Sequence, residues 1–216
     1  MLKRSHVRTL LASVSMLSMS VGYARAQSVD YNAMEQMFGE PITTSVTGSP
    51  QRASEAPAAM TIVTQDDIRR SGADNLPDVL QFVNGIDIER FSFGQADVAV
   101  RGYDQPMTPR LLVLVNGRQV YLDSYGYVDW NAIPVQLSEI RQIEVVKGPQ
   151  SALFGFNAAG GVINIITYDP LFDKVNTATI GYGTDGTILG SAVATGQIAA
   201  RAGWLSAATY IWVQPP

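Results

Sequence analysis

Ile140-Arg141-Gln142-Ile143-Glu144-Val145-Val146-Lys147-Gly148-Pro149 decides the fold, together with Ser151-Ala152-Leu153-Phe154-Gly155 and Gly160-Gly161-Val162-Ile163-Asn164-Ile165-Ile166-Thr167 behind it. β-Branched residues over 143–146 and 162–167 predict two strands. Between them Lys147-Gly148-Pro149 ends the first, residues 151–154 form a short helical segment, and Gly155, Gly160 and Gly161 act as backbone pivots. Upstream, Leu111-Leu112-Val113-Leu114-Val115 is a continuous apolar run, which predicts a strand covered on both faces. It runs into Asn116-Gly117, a pair suited to a type I′ turn, and residues 118–121 complete a hairpin.

Further towards the N-terminus, residues 60–63 predict a strand. Thr64 and Asp67 form a capping box for a helix over 65–71, which Gly72 closes in the left-handed conformation. Leu76, Val79, Leu80 and Val83 fall at i, i+3, i+4 and i+7, one buried helical stripe. Asn75 caps that helix, Pro77 sits in its first turn, and Asn84-Gly85 stops it. Residues 86–89 and 97–101 read as short strands. The stretch 27–58, with Pro41, Gly48, Pro50 and Pro57 among many Thr and Ser, reads as exposed and mobile. Its one exception is 31–38, where Met34, Met37 and Phe38 line a helical turn.

The first twenty-six residues read as a secretory leader. Lys3, Arg4 and Arg8 precede an apolar run over 10–21, and Ala24-Arg25-Ala26 supplies a small-x-small cleavage site. That run is too short and too rich in Ser for a membrane anchor. The whole chain of 216 residues carries 15 basic against 19 acidic side chains. Loss of the leader removes four cations and gives a formal charge of −8. It also removes His6, the only histidine, and there is no Cys. These counts exclude a disulfide framework, thiolate or His-ligated zinc, Ser-His-Asp catalysis and a basic nucleic-acid face. No Gly-rich phosphate loop is present.

Beyond Lys174 charge nearly vanishes. Ala178, Ile180 and Tyr182 alternate with Thr177, Thr179 and Gly181, Asp185-Gly186 marks a hairpin turn, and 188–195 and 204–213 are further extended segments. Trp204, Tyr210 and Trp212 share one face of the last. This is how membrane-spanning β-strands look, although a soluble sandwich edge reads alike.

Five stretches stand in order along the chain. They are Pro57-Ala58-Ala59-Met60-Thr61-Ile62-Val63-Thr64-Gln65-Asp66-Asp67-Ile68-Arg69-Arg70-Ser71-Gly72, Val98-Ala99-Val100-Arg101-Gly102, Arg110 to Arg118 around the apolar run, Ile140 to Pro149, and Ser151 to Thr167. In that order they resemble the N-terminal part of TonB-dependent outer-membrane receptors. The resemblance implies an α/β fold: a small mixed-sheet plug domain with short helices, followed by an incomplete antiparallel transmembrane β-barrel segment. It implies a signal peptide over 1–26, a flexible N-terminal segment over 27–56, a plug over 57–168 and first barrel strands over 175–216. Such receptors import scarce bulky nutrients, most often ferric siderophores and otherwise cobalamin, haem or sugars, energised by TonB. They are not enzymes and need no cofactor or metal of their own.

By that resemblance the candidate TonB box is Ile42-Thr43-Thr44-Ser45-Val46-Thr47, extended and β-branched after Pro41 and so suited to strand addition. A plain linker reads equally well there. Ligand contacts fall to Phe91, Phe93, Tyr103, Tyr125, Tyr127 and Trp130 in outward loops, flat faces of which several carry a polar handle. Packing against a barrel wall is the plainer role for each. Arg101 and Lys147 stand where relatives place cations opposite acidic groups of the barrel, and a solvated surface cation is the alternative. Receptors of this kind close about 22 strands. Three candidate strands predict a chain that forms no pore alone, with a tail over 175–213 poorly ordered or irregularly paired. A stand-alone periplasmic ligand-binding protein is the competing reading. A hydrolase using Asp66 with Asp67, or Asp87 with Glu89, is another, though no companion group supports it.

Overall fold

A computed structural model of the chain describes residues 29–92, 95–102, 110–120, 128–182, 188–199 and 202–212. Helix α1 (Tyr31–Phe38) begins under the cap of Asp30, whose carboxylate accepts from the Ala33 N–H at 3.0 Å, and ends at Gly39 with φ 71°. Two short strands follow, β1 (Ile42–Thr43) and β2 (Gln51–Arg52), paired antiparallel. β3 (Ala59–Thr64) runs straight into α2 (Gln65–Ser71). The expected capping box is formed: the Asp67 N–H donates to the Thr64 hydroxyl at 3.3 Å, and the Thr64 N–H to the Asp67 carboxylate at 3.1 Å.

α3 (Leu76–Leu80) is shorter than its apolar stripe suggests. After Leu80 the chain tightens, with the Val83 N–H donating to the Leu80 carbonyl at 3.0 Å, an i→i−3 bond. All four stripe residues are nevertheless buried. β4 (Ile86–Ser92) and β5 (Gln95–Val100) form a separate hairpin. β6 (Leu111–Val115) and β7 (Arg118–Gln119) flank the Asn116-Gly117 turn, where φ is 50° and 76°, both positive as a type I′ turn demands. β8 (Ile140–Lys147), α4 (Ser151–Phe154) and β9 (Gly161–Thr167) complete the central unit.

The central sheet runs β3-β8-β9-β6-β7, with β6 parallel to β9 and the other neighbours antiparallel. Gly161 lets β8 and β9 close on each other, since a Cβ there would lie 2.6 Å from the Val146 carbonyl oxygen. Side-chain alternation divides the sheet into two unlike faces. Ile143, Val145, Ile163, Ile165 and Val113 meet Ile68, Val79, Leu80, Ile86, Val100 and Trp130 in the main core. The opposite face carries Val146, Val162, Leu112 and Leu114 in a smaller apolar cluster with Val46. It also carries Gln142, Glu144 and Asn164, all buried.

What covers that second face is the N-terminal segment. The expectation that 27–58 is exposed is therefore corrected over residues 42–46, where Ile42 and Thr43 are both fully buried (0% exposed) and Ser45 and Val46 are buried beside them. Composition misled because Thr and Ser can be buried once their hydroxyls find partners.

β10 (Asn176–Tyr182), β11 (Ile188–Ala199) and β12 (Ala202–Trp212) form a three-stranded antiparallel sheet. Its register is continuous except for one shift at Gln197/Ala199, so the expected irregular pairing is also corrected. Among the described residues these strands do not close into a barrel. The sheet-dominated α/β architecture with few short helices is as expected. No helix among the described residues is long and apolar enough to cross a membrane, which says nothing of strands.

Candidate functional site

The docked N-terminal segment is where the structure gathers its buried polar groups. Gln142 and Glu144 point to the same face of β8, and Asn164 stands opposite Glu144 on β9. These three side chains grip residues 42–45. The Gln142 amide donates to the Ile42 carbonyl at 2.8 Å. The Thr43 hydroxyl and the Ser45 N–H donate to the Glu144 carboxylate at 2.7 and 3.1 Å. The Asn164 amide donates to the Ser45 hydroxyl at 2.9 Å, while its carbonyl oxygen accepts from the Gly117 N–H at 3.1 Å. Sequence reasoning named 42–47 but missed this cradle. The signal was there: polar residues spaced by two inside a strand whose intervening residues are apolar.

A second hold lies one residue upstream on β8. The register shifts between Ile140 and Gln142, and this bulge re-aims Arg141. Its buried guanidinium donates to Asp173 at 2.7 Å, to Glu35 at 2.8 Å and to Asn32 at 3.0 Å. It also lies 5.5 Å from the centre of the Tyr31 ring. The Asn32 amide donates to the same Asp173 oxygen at 2.6 Å. One cation thus ties α1 to the sheet and to the loop that follows β9. Burial pushes the Asp173 carboxyl up from its ordinary value, partly offset by the Asp169 N–H and Arg141. The Tyr31 hydroxyl lies 3.1 Å from that of Thr44, linking the two holds. Beside them a groove of about 900 Å³ runs between α1, Thr44, the Asn116-Gly117 turn and Tyr168.

The remaining expected site residues scatter. Arg101 (φ 56°) and Lys147 stand near one another at one end of the sheet, where Gly148 lies against the Arg101 guanidinium. Lys147 donates to the Thr61 hydroxyl and to the Asn84 carbonyl, each at 3.0 Å. Neither cation forms a salt bridge among the described residues. Phe91 is 56% exposed, but it lies within β4 rather than in the loop where it was expected. Trp130 is not: it is 6% exposed, and its indole N–H donates to the Ala96 carbonyl at 2.9 Å. Its polar handle is used inside the core, which corrects the expectation of a ligand-facing ring. Phe93, Tyr103, Tyr125 and Tyr127 lie outside the described residues, as do the leader and the Asp185-Gly186 turn.

Two of the carboxylates read as candidate catalytic pairs have structural partners. Asp67 is committed to its helix cap, where the Thr64 hydroxyl and N–H hold its pKa down, and Asp87 accepts from the Gly102 N–H at 2.9 Å. Among the described residues, no group of three His, Cys, Asp or Glu side chains is placed to hold a metal ion.

Comparison with known proteins places this arrangement. A family model described as the TonB-dependent receptor plug domain matches residues 52–162. The vitamin B12 transporter BtuB of Photobacterium profundum is 36% identical over 149 residues, covering 68% of this chain and 23% of that protein. BtuB of Vibrio vulnificus is 31% identical over 182 residues, covering 82% and 28%. The chain spans about a quarter of the length of these curated relatives. The pyoverdine outer membrane receptor FpvA from Pseudomonas aeruginosa PAO1 superposes with a TM-score of 0.65 at 20% identity, over 80% of this chain and 25% of that one. The ferric yersiniabactin uptake receptor FyuA from Yersinia pestis gives 0.54 at 23% identity, over 68% and 22%. At such identity the likeness to both structures is one of fold. With a matched plug model, relatives above 30% identity and the plug's mixed sheet in place, this chain belongs to the TonB-dependent receptor plug domain family.

Proposed function

We propose that the chain is the gating and energy-coupling part of an outer-membrane receptor that imports a bulky nutrient and performs no catalysis. Residues 57–168 act as the plug, residues 175–216 contribute membrane strands, and the leader over 1–26 directs export. The single observation that carries the energy-coupling role is how the candidate box Ile42-Thr43-Thr44-Ser45-Val46-Thr47 is seated. Only Ile42 and Thr43 are extended, residues 45–47 form a turn instead of the expected strand, and residues 42–45 are held on the central sheet by polar side-chain contacts rather than by a strand ladder. Residues 42–45 of such a segment can lift from the plug and pair with the sheet edge of TonB, where backbone hydrogen bonds supply the affinity. Cargo of the cobalamin kind has the better support, because the relatives above 30% identity are named vitamin B12 transporters. Ferric siderophores, favoured on the sequence resemblance alone, retain support from fold only. Ligand contact falls to the outward loops and to the exposed Phe91 near the end of β4, and Arg101 with Lys147 faces acidic groups of a barrel wall.

Thr44→Pro tests the coupling. Proline removes one backbone N–H from the segment and cannot take an interior place in a strand pair. Titration of the purified chain with the periplasmic domain of TonB should show binding for the natural sequence and a loss of about tenfold or more for Thr44→Pro, one or more ladder bonds being forfeited. Equal affinity for both would remove residues 42–47 from this role.

A further inference from the structure

Glu144 is fully buried (0% exposed), yet no Lys or Arg among the described residues forms a salt bridge with it. Three neutral donors hold its carboxylate instead. The Thr43 hydroxyl and the Ser45 N–H reach one oxygen, and the Gln142 amide reaches the other at 2.7 Å. Two of those donors belong to the N-terminal segment and depart with it. A buried carboxylate without a counter-charge carries a desolvation cost, which these hydrogen bonds offset only while the segment is docked. When the segment lifts, water takes over the donors and the carboxylate regains its hydration.

The neighbouring half of the same sheet face behaves differently. Val46 packs on Leu112, Leu114, Val146 and Val162, with Ala56 and Ala58 beside it. Lifting residues 42–45 bares one apolar side chain, Ile42, and gives up a two-residue pairing with β2, whereas lifting residues 46–58 would bare the whole cluster of Val46, Leu112, Leu114, Val146 and Val162, which gains nothing from water. The boundary between the two halves falls between Ser45 and Val46.

We propose that Glu144 is a clasp that sets the docking equilibrium of residues 42–45. It balances the hydrogen bonds it receives against its own desolvation, so that this stretch lifts while residues 46–58 stay seated. Glu144 is a positioning residue here, acting through the segment. The use of the clasp rests on the energy-coupling role of residues 42–47, but the docking equilibrium itself does not.

The chain has no Cys, so single cysteines can report each half. Ser45→Cys, at a position 2% exposed, reports the lifting half, and Val162→Cys in β9 reports the half that stays covered. Maleimide labelling of the full chain is the readout. Adding Glu144→Ala should speed labelling at position 45 by about tenfold or more, as expected for losing buried hydrogen bonds, and leave position 162 unchanged. Adding Glu144→Gln keeps an acceptor for Thr43 and Ser45 and removes the charge, while its amide NH2 meets the Gln142 NH2, so it should speed labelling at position 45 clearly less than Glu144→Ala does. Acceleration by the glutamine equal to that by the alanine overturns the proposal, as does continued protection of position 45 in Glu144→Ala. If Glu144→Ala exposes both positions alike, Thr43→Val decides, because it removes a donor from the segment without touching the sheet. Selective labelling at 45 then upholds the clasp, and no selective change overturns it. A segment that lifts in these variants but fails to bind TonB would end the energy-coupling role and leave the clasp standing.

Discussion

Tyr31 shows how much one hydroxyl can report. Burial pushes its pKa up to about 12, with the Thr44 hydroxyl and Arg141 pulling it partly back and the charges of Glu144 and Glu35 adding to the rise. A free tyrosine ionises near pH 10. The undocked side chain therefore loses its proton before the docked one does. The docking stability that Tyr31 contributes is complete below about pH 10 and is lost as pH climbs towards about 12. A spin label on Met37→Cys, an exposed position on the same helix, would follow α1 leaving the plug across that range. Tyr31→Phe should start slightly less firmly docked, by about 0.5–1.5 kcal/mol for the lost hydrogen bond, yet show a flatter profile between pH 10 and 12. Identical profiles for the two proteins would show that Tyr31 ionisation has no part in releasing α1. At this scale the sequence was a partial guide. It placed Tyr31 on a helical turn but could not show that Arg141, more than a hundred positions away, lies against it. Trp130 misled for the same reason, since an aromatic in a polar loop looks identical whether its N–H meets a ligand or the Ala96 carbonyl.

Elements whose signals are local were legible. The Thr64/Asp67 box, the Asn116-Gly117 turn and the apolar run of β6 each follow from neighbours within a few residues, and each stands where the pattern put it. The N-terminal layer was not legible, because its partners come from strands about a hundred residues later. A segment rich in Thr, Ser and Pro carries no periodicity of its own, so composition favours a linker. The β8–β9 pair is the element on which the plug depends most, holding one face of each apolar cluster and the whole polar cradle. Gly161→Ala tests that dependence. The new methyl would press on the Val146 carbonyl oxygen from 2.6 Å, so the strands must separate slightly. A loss of about 1–3 kcal/mol follows from such overpacking, seen as a lowered Tm of the plug. Gly190→Ala is the control, because a Cβ at that position meets nothing within 4 Å. If both variants unfold at the temperature of the parent, close approach at Gly161 is not what holds the pair together.

Across the whole molecule, two surfaces of opposite character stand on one chain. The plug buries an apolar cluster on each face of the central sheet, whereas the sheet of β10, β11 and β12 turns Ile180 (88%) and Tyr182 (80%) outward. Its register sets Ala178, Ile180 and Tyr182 against Ala192, Gly190 and Ile188 on one face. On the other, the hydroxyls of Thr179 and Ser191 meet at 2.5 Å. An apolar face backed by a hydroxyl-bearing one suits a strand with lipid on one side and a wet or protein-filled lumen on the other. Exposed two residues apart on one face, Ile180 and Tyr182 fit the membrane-strand role proposed for this segment. A charge should therefore be tolerated on one face and refused on the other. Ile180→Arg, if its side chain faces the bilayer midplane, should weaken membrane retention by about 2–4 kcal/mol. Thr179→Arg, one residue along and on the opposite face, should weaken it far less. Co-flotation of each full chain with phospholipid vesicles measures the difference directly. Equal retention of the two variants would mean that the alternation of residues 176–182 does not distinguish lipid from lumen.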